Sequence, residues 1–167
     1  MKSAEIKDRI MGTILGTLIG DALGVGPHWY YDLDALRRDY GTWISDYTAP
    51  LPHRYHAGLE AGMNSQTGQV VAFLLESIAT NGGYVEEDFT WHLDGLFATL
   101  DGTPHGGRYT DHAMRDVWKA RKEGRDWKTA GSFADTAEAA IRVPVIAGRY
   151  CADFGKALSN ILSNVQI

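Results

Sequence analysis

Apolar residues return every three or four positions along most of this chain, a period that leaves little room for anything but helices. Ile6, Ile10, Ile14 and Leu18 fall four apart, and Met11, Leu15, Ile19 and Ala22 widen the stripe. Asp32 reads as the N-cap of a short helix through Arg38 that ends before Gly41. The spacing predicts a helix from about Thr67 to Ala79, with Val70, Val71, Phe73, Leu74, Leu75 and Ile78 inward and Gly82-Gly83 as the stop. Val85, Phe89, Leu93, Leu96 and Leu100 mark another, whose start carries Glu86, Glu87 and Asp88 where the helix dipole favours them. Asp111 caps a helix bearing Met114, Val117 and Trp118 that closes near Gly124. Ser132 to Tyr150 reads as an Ala-rich helix bent at Pro144, and Phe154, Leu158, Ile161, Leu162 and Val165 form a last amphipathic stripe. No neighbouring segments read as paired strands and there is no internal repeat. The fold class is all-α, with residues 1–167 as a single helical domain.

Several of these helices are apolar on more than one face, and the last stripe is still strong where the chain stops. Either further chain or a partner subunit, a second copy included, is expected to cover them. Gly12, Gly16, Gly20 and Gly24 form a further stripe at helical spacing. Each interior glycine costs roughly 1 kcal/mol against alanine in an exposed helix, so the row calls for a helix or a ligand close to that backbone face. Lys7, Asp8, Arg9 and Asp21 bracket the segment, which favours a packed helix over a membrane dimerisation face. Residues 41–66 contain Pro50, Pro52, Gly58 and Gly62 and keep no period, as a long functional loop does.

Hydrophobic residues make up 44% of the chain and charged residues 22%, which disfavours general disorder. The net charge of −5 repels phosphate backbones, so nucleic-acid binding needs a local basic stripe. The best one, Lys119, Arg121, Lys122, Arg125 and Lys128, is broken by Glu123 and Asp126 and reads as a solvated helix end. No nucleic-acid or membrane partner is expected. The apolar stretch Ile10 to Ile19 is too short to span a bilayer and lacks a convincing cleavage site. Cys151 is the single cysteine, so no internal disulfide forms, and a cytoplasmic location is expected.

Asp21, at the end of the glycine stripe, suits either a buried hydrogen-bonding role or a cleft. His28, beside Trp29, Tyr30 and Tyr31, suits acid–base work, stacking on a base or ribose, or plain aromatic packing. Asn64, Ser65, Gln66 and Thr67 open a helix, where they either cap it or receive a phosphate or hydroxyl. His53 and His56 have ligand-like spacing but no third partner nearby. Asp111, Arg115 and Arg142 are either a structural charge set or part of a nucleotide pocket, with Gly106, Gly107 and Tyr109 on a loop beside it. No serine or cysteine stands in the setting of a nucleophile.

Three stretches resemble the ADP-ribosylglycohydrolase superfamily, particularly its crystallin-J1-related branch. They are Gly16-Thr17-Leu18-Ile19-Gly20-Asp21-Ala22-Leu23-Gly24 with His28-Trp29-Tyr30-Tyr31-Asp32; Ala57-Gly58-Leu59-Glu60-Ala61-Gly62-Met63-Asn64-Ser65-Gln66-Thr67-Gly68-Gln69 with Leu74-Leu75-Glu76; and Asp111-His112-Ala113-Met114-Arg115 with Gly131-Ser132 and Ala139-Ala140-Ile141-Arg142-Val143-Pro144. Members are usually far longer, so the chain resembles an N-terminal half. The resemblance implies an orthogonal multi-helix bundle, incomplete here, around a cleft that holds a pair of magnesium ions. It implies hydrolysis of the glycosidic bond of ADP-ribose conjugates, with an ADP-ribose-like small molecule as partner. It also implies Asp21 and His28 as catalytic positions and Asn64, Ser65, Gln66, Thr67, Asp111, Ser132 and Arg142 as substrate-binding positions.

Active members open a helix with Thr-Asp-Asp-Thr, which falls on Asn64-Ser65-Gln66-Thr67, where the last residue alone matches. Magnesium prefers hard, anionic oxygens in a near-octahedral array, and neutral amide or hydroxyl oxygens hold it far more weakly. A carboxylate position of active members falls near His28, and imidazole nitrogen is a poor magnesium ligand. Magnesium belongs to active members and is not expected to bind here. The expected function is an ADP-ribosylglycohydrolase-like protein with substituted metal positions. The alternatives are a non-catalytic ADP-ribose or nucleotide binder and a structural, crystallin-like protein.

Overall fold

A computed structural model describes residues 3–103 and 107–167, and no strand occurs among them. The helices are α1 (Ser3–Val25), α2 (Leu33–Tyr40), α3 (Gln66–Asn81), α4 (Glu86–Ala98), α5 (His112–Lys122), α6 (Val143–Arg149) and α7 (Phe154–Val165). Short 3₁₀ turns cover Trp127–Thr129 and Glu138–Arg142. Local chemistry sets most of the boundaries. The side chains of Asp32, Ser65, Asp111 and Asp153 each accept a backbone N–H in the first turn of the helix that follows, and Gly82 ends α3 in the left-handed region at φ 68°.

The core forms where α3 meets α4. Val70, Val71, Leu74 and Ile78 of α3 pack with Phe89, Leu93, Leu96 and Phe97 of α4, joined by Val117, Ala120, Trp127, Val145 and Ile146. α3 also touches α1, α6 and the second 3₁₀ turn, so it is the central element, and α6 lies against both α1 and α7. α5 is pinned to α4 through its side chains. The indole N–H of Trp118 donates to the Phe97 carbonyl at 3.2 Å, and the Arg121 guanidinium makes a paired contact with Asp94. Of the basic run, Arg121 is thereby neutralised, while Lys122 lies over the Trp118 ring.

Ser132 to Tyr150 is not the single bent helix that its alanine content predicts. Residues 132–137 are irregular, a 3₁₀ turn follows, and Pro144 sits in the first turn of α6. A proline has no N–H to lose there and its fixed φ suits the first turn, so it starts the helix instead of bending one. Of the two neighbours expected for the glycine stripe of α1, a helix is not found, since a Cβ built on Gly12, Gly16, Gly20 or Gly24 meets nothing within 4 Å. Close approach occurs elsewhere. A Cβ on Gly148 of α6 would lie 3.3 Å from Ile10, and one on Gly68 of α3 would lie 2.7 Å from the carboxyl carbon of Asp21.

Met11, Leu15 and Ile19 on α1, and Phe154, Leu158 and Leu162 on α7, are exposed, as the surplus of apolar faces in the sequence suggests. No described helix is long and apolar enough to cross a membrane. Gly106, placed by the sequence on a loop beside Asp111, lies outside the described residues.

Candidate functional site

The site is built where the end of α1 meets the start of α3. Asp21, one turn before α1 ends, accepts three hydrogen bonds: Ser65 Oγ at 2.5 Å on Oδ1, and Ser65 N at 2.8 Å and Asn64 Nδ2 at 3.0 Å on Oδ2. Asn64 Nδ2 also donates to the Leu18 carbonyl at 2.8 Å, and Ser65 Oγ accepts from Gly68 N. Asp21 therefore clamps the helix start, and Gly68 is the residue whose missing side chain admits the carboxylate.

Beside the clamp opens a cavity of about 430 Å³, lined by Asp21, His28, Trp29, His56, Ser65, Thr67, Tyr109, Asp111, His112 and Glu138, among others. Gly20 and Gly24 also line it, so half of the glycine stripe does present bare backbone to a space that a ligand can enter. A second cavity of about 340 Å³ contains Val70, Leu93, Phe97, Met114, Trp127, Ser132 and Arg142. The two share Thr67, Asp111, Thr136 and Glu138, and the hydroxyl of Thr67 donates to Glu138 Oε2 at 2.6 Å across that boundary.

The predicted residues divide accordingly. Asp21, His28 and Ser65 reach the first cavity, Ser132 and Arg142 the second, and Thr67 and Asp111 both. Asn64 and Gln66 line neither. Asn64 is spent on the clamp, while Gln66, 3% exposed, donates from Nε2 to Thr110 Oγ1 at 3.1 Å and leaves its Oε1 without a partner among the described residues. Arg142, 5% exposed, donates to the Asn164 carbonyl at 3.0 Å, and burial lowers its pKa to about 10. Arg115 is spent on the Thr110 carbonyl and the Tyr109 hydroxyl.

The aromatic group around His28 is both packing and site. Trp29 has φ 60°, a strained value for a bulky residue, and is held by Arg54, whose Nη2 donates to the Trp29 carbonyl at 2.6 Å while its guanidinium covers the Tyr30 ring at 3.7 Å. Trp29 stacks on His28 with centroids 4.6 Å apart and meets Tyr55 and Tyr109 edge-on.

Glu138 is the residue that sequence reasoning missed. Burial, then the neighbouring Asp111 and Asp21, push its carboxyl above the ordinary value of 4.5, against the Thr67 hydrogen bond that pulls it down. A carboxyl so placed in a cleft suits proton transfer. Its only sequence signal was an acid set in an Ala-rich stretch just ahead of Arg142. His56 was read beside His53, but His53 is exposed, and His56 turns inward to His28.

Asp21, Ser65 and Gln66, at the positions where active members place metal ligands or beside them, are poor donors for a magnesium pair. Both oxygens of Asp21 and the hydroxyl of Ser65 are taken by the clamp, and Gln66 lies outside the cavity. Among the described residues no three His, Cys, Asp or Glu side chains converge as a ligand set.

The family model for ADP-ribosylglycohydrolase matches residues 2–164. An uncharacterized protein of Archaeoglobus fulgidus is 29% identical over 144 residues, covering 84% of this chain and 43% of that protein. The chain thus spans less than half the length of the curated relative it matches. No solved structure matches.

Proposed function

This chain belongs to the ADP-ribosylglycohydrolase family, and from that premise we propose that its cleft binds the ADP-ribosyl part of a conjugate without the family's magnesium pair. The observation that carries this reading is the Asp21 clamp: a carboxylate on the cleft wall is satisfied by Asn64 and Ser65, at the run where active members place acidic ligands. The ribosyl hydroxyls are donors, and Asp111 and Glu138 on the cavity wall are acceptors for them. Trp29 and Tyr109 offer ring faces and edges to the base. Arg142, a cation on the wall of the adjoining cavity, is the group toward which the phosphates are placed in this reading.

Asp21, Ser65 and Gln66 do not make a ligand set for a dinuclear magnesium centre, and hydrolysis through one is not part of the proposed activity. Incubating the purified protein with an ADP-ribosylated substrate and magnesium tests this. The expected result is no release of ADP-ribose above the buffer control. Release that disappears on chelation and returns with magnesium would overturn the reading.

A further inference from the structure

His28 and His56, 28 residues apart in sequence, meet ring to ring. Nδ1 of His28 lies 2.6 Å from Nε2 of His56, and the rings lie edge to edge, with centroids 4.8 Å apart and planes 22° from parallel, as an in-plane hydrogen bond requires. One of these nitrogens must hold the proton between them, and the far side of His56 decides which. His56 Nδ1 faces the backbone N–H of Tyr109 at 3.3 Å, and an amide N–H can only donate. His56 Nδ1 is therefore bare, and a neutral His56 keeps its proton on Nε2. The reverse polarity would leave His56 with no proton on either nitrogen, an imidazolate, which neutral imidazole forms only in strong base. His28 Nδ1 must then accept, and the proton of His28 sits on Nε2.

We propose that His56 is a positioning residue that fixes His28 as the neutral Nε2–H tautomer, making His28 a hydrogen-bond donor to an acceptor oxygen of the ligand in the cleft. The tautomer follows from the two hydrogen bonds, and its use on a ligand rests on the cleft reading above. With Nδ1 accepting and Nε2 protonated, the ring has no free lone pair, so His28 neither coordinates a cation nor takes up a proton as a base. The surroundings keep the pair neutral. His56 is 3% exposed, and burial followed by the neighbouring His28 holds its pKa down at about 4 against the opposing pull of Asp21. For His28, burial and Arg54 lower the value while Asp21 of α1 raises it, with a net fall. Asp111, His112, Tyr109 and Glu138 are the other titratable groups on the same cavity wall.

Nitrogen-15 correlation spectra of the labelled, ligand-free chain test the tautomer directly. His28 is expected to show a protonated Nε2 and a bare Nδ1 at pH 7, and to stay neutral as the pH falls past the ordinary 6.5. His56→Phe removes the donor, so His28 should populate both tautomers and titrate at higher pH. His56→Gln, which keeps an N–H donor, should restore the single tautomer. A proton on His28 Nδ1 in the unmodified chain overturns the proposal, and so does a folded His56→Phe variant with unchanged His28 signals. If His56→Phe does not fold, the unmodified chain alone decides. Adding ADP-ribose tests the use: the His28 Nε2–H signal should shift while the His56 pattern holds. Binding without that shift overturns the donor role alone, whereas no binding overturns the donor role and the ADP-ribosyl reading while the tautomer stands.

Discussion

A carboxylate that already accepts three hydrogen bonds from its own protein has little left to offer an ion, and Asp21 is in that position. Hydrogen bonds to a charged group contribute about 1.5–3 kcal/mol each, less than additively. Asp21→Ala is therefore expected to cost about 2–4 kcal/mol in urea unfolding. A variant as stable as the parent would mean that the carboxylate is free for a ligand after all. Glu138 carries the opposite signature. Its folded pKa is raised, so the folded state holds the proton more tightly, and this favourable contribution is complete below the ordinary 4.5 and lost as pH rises through the folded value. Glu138→Gln should then raise the melting temperature at pH 7, with the gain vanishing below about pH 4.5. A gain that persists in acid would locate the effect in packing and remove Glu138 as the cleft's proton-exchanging group. None of this was legible at Glu138 itself. An acid among alanines looks the same whether it faces water or a cleft, whereas the Ser65 and Asp111 caps could be read from residue type and position.

At the scale of elements, the long periodic segments were readable because each buries one face. α3 and α4 form within a residue or two of where Val70 through Ile78 and Phe89 through Leu96 place them. The failure at 132–150 has a physical reason: alanine favours a helix but buries too little to enforce one, and the segment's path is set by Glu138 reaching Thr67 and by Arg142 reaching the Asn164 carbonyl. The glycine row on α1 was legible only in part for a related reason: spacing reports which residues share a face and not whether a helix or the cavity beside Gly20 and Gly24 lies opposite. Close approach depends on Gly68 instead. Gly68→Ala should break the clamp, because its Cβ would come within 2.8 Å of Asn64 Cβ as well as meeting Asp21. The expected cost is about 1–3 kcal/mol in stability, read by thermal denaturation together with loss of the Ser65 amide's protection from exchange. An unperturbed Gly68→Ala variant would show that the α1–α3 corner is looser than described.

For the molecule as a whole, the all-α class and the family were legible, because three motifs in order carry more information than any one of them. The arrangement of the cleft was not. It depends on side chains from α1, the 41–65 loop, α3, the loop before α5 and the second 3₁₀ turn, brought together by packing that no local pattern records. The exposed rows on α1 and α7 make a prediction at this scale. Leu15 is 47% and Leu158 46% exposed, so Leu15→Lys and Leu158→Lys should each change stability by no more than about 0.5 kcal/mol. A large loss from either would mean that the row is covered by something in solution.

Calorimetric titration of ADP-ribose into the purified chain, once with magnesium and once with a chelator, tests the central claim most directly. The account predicts the same heat and the same affinity in both, since Asp21 is held by Asn64 and Ser65 and the ligand meets protein groups alone. Binding that appears with magnesium and is abolished by the chelator would contradict it.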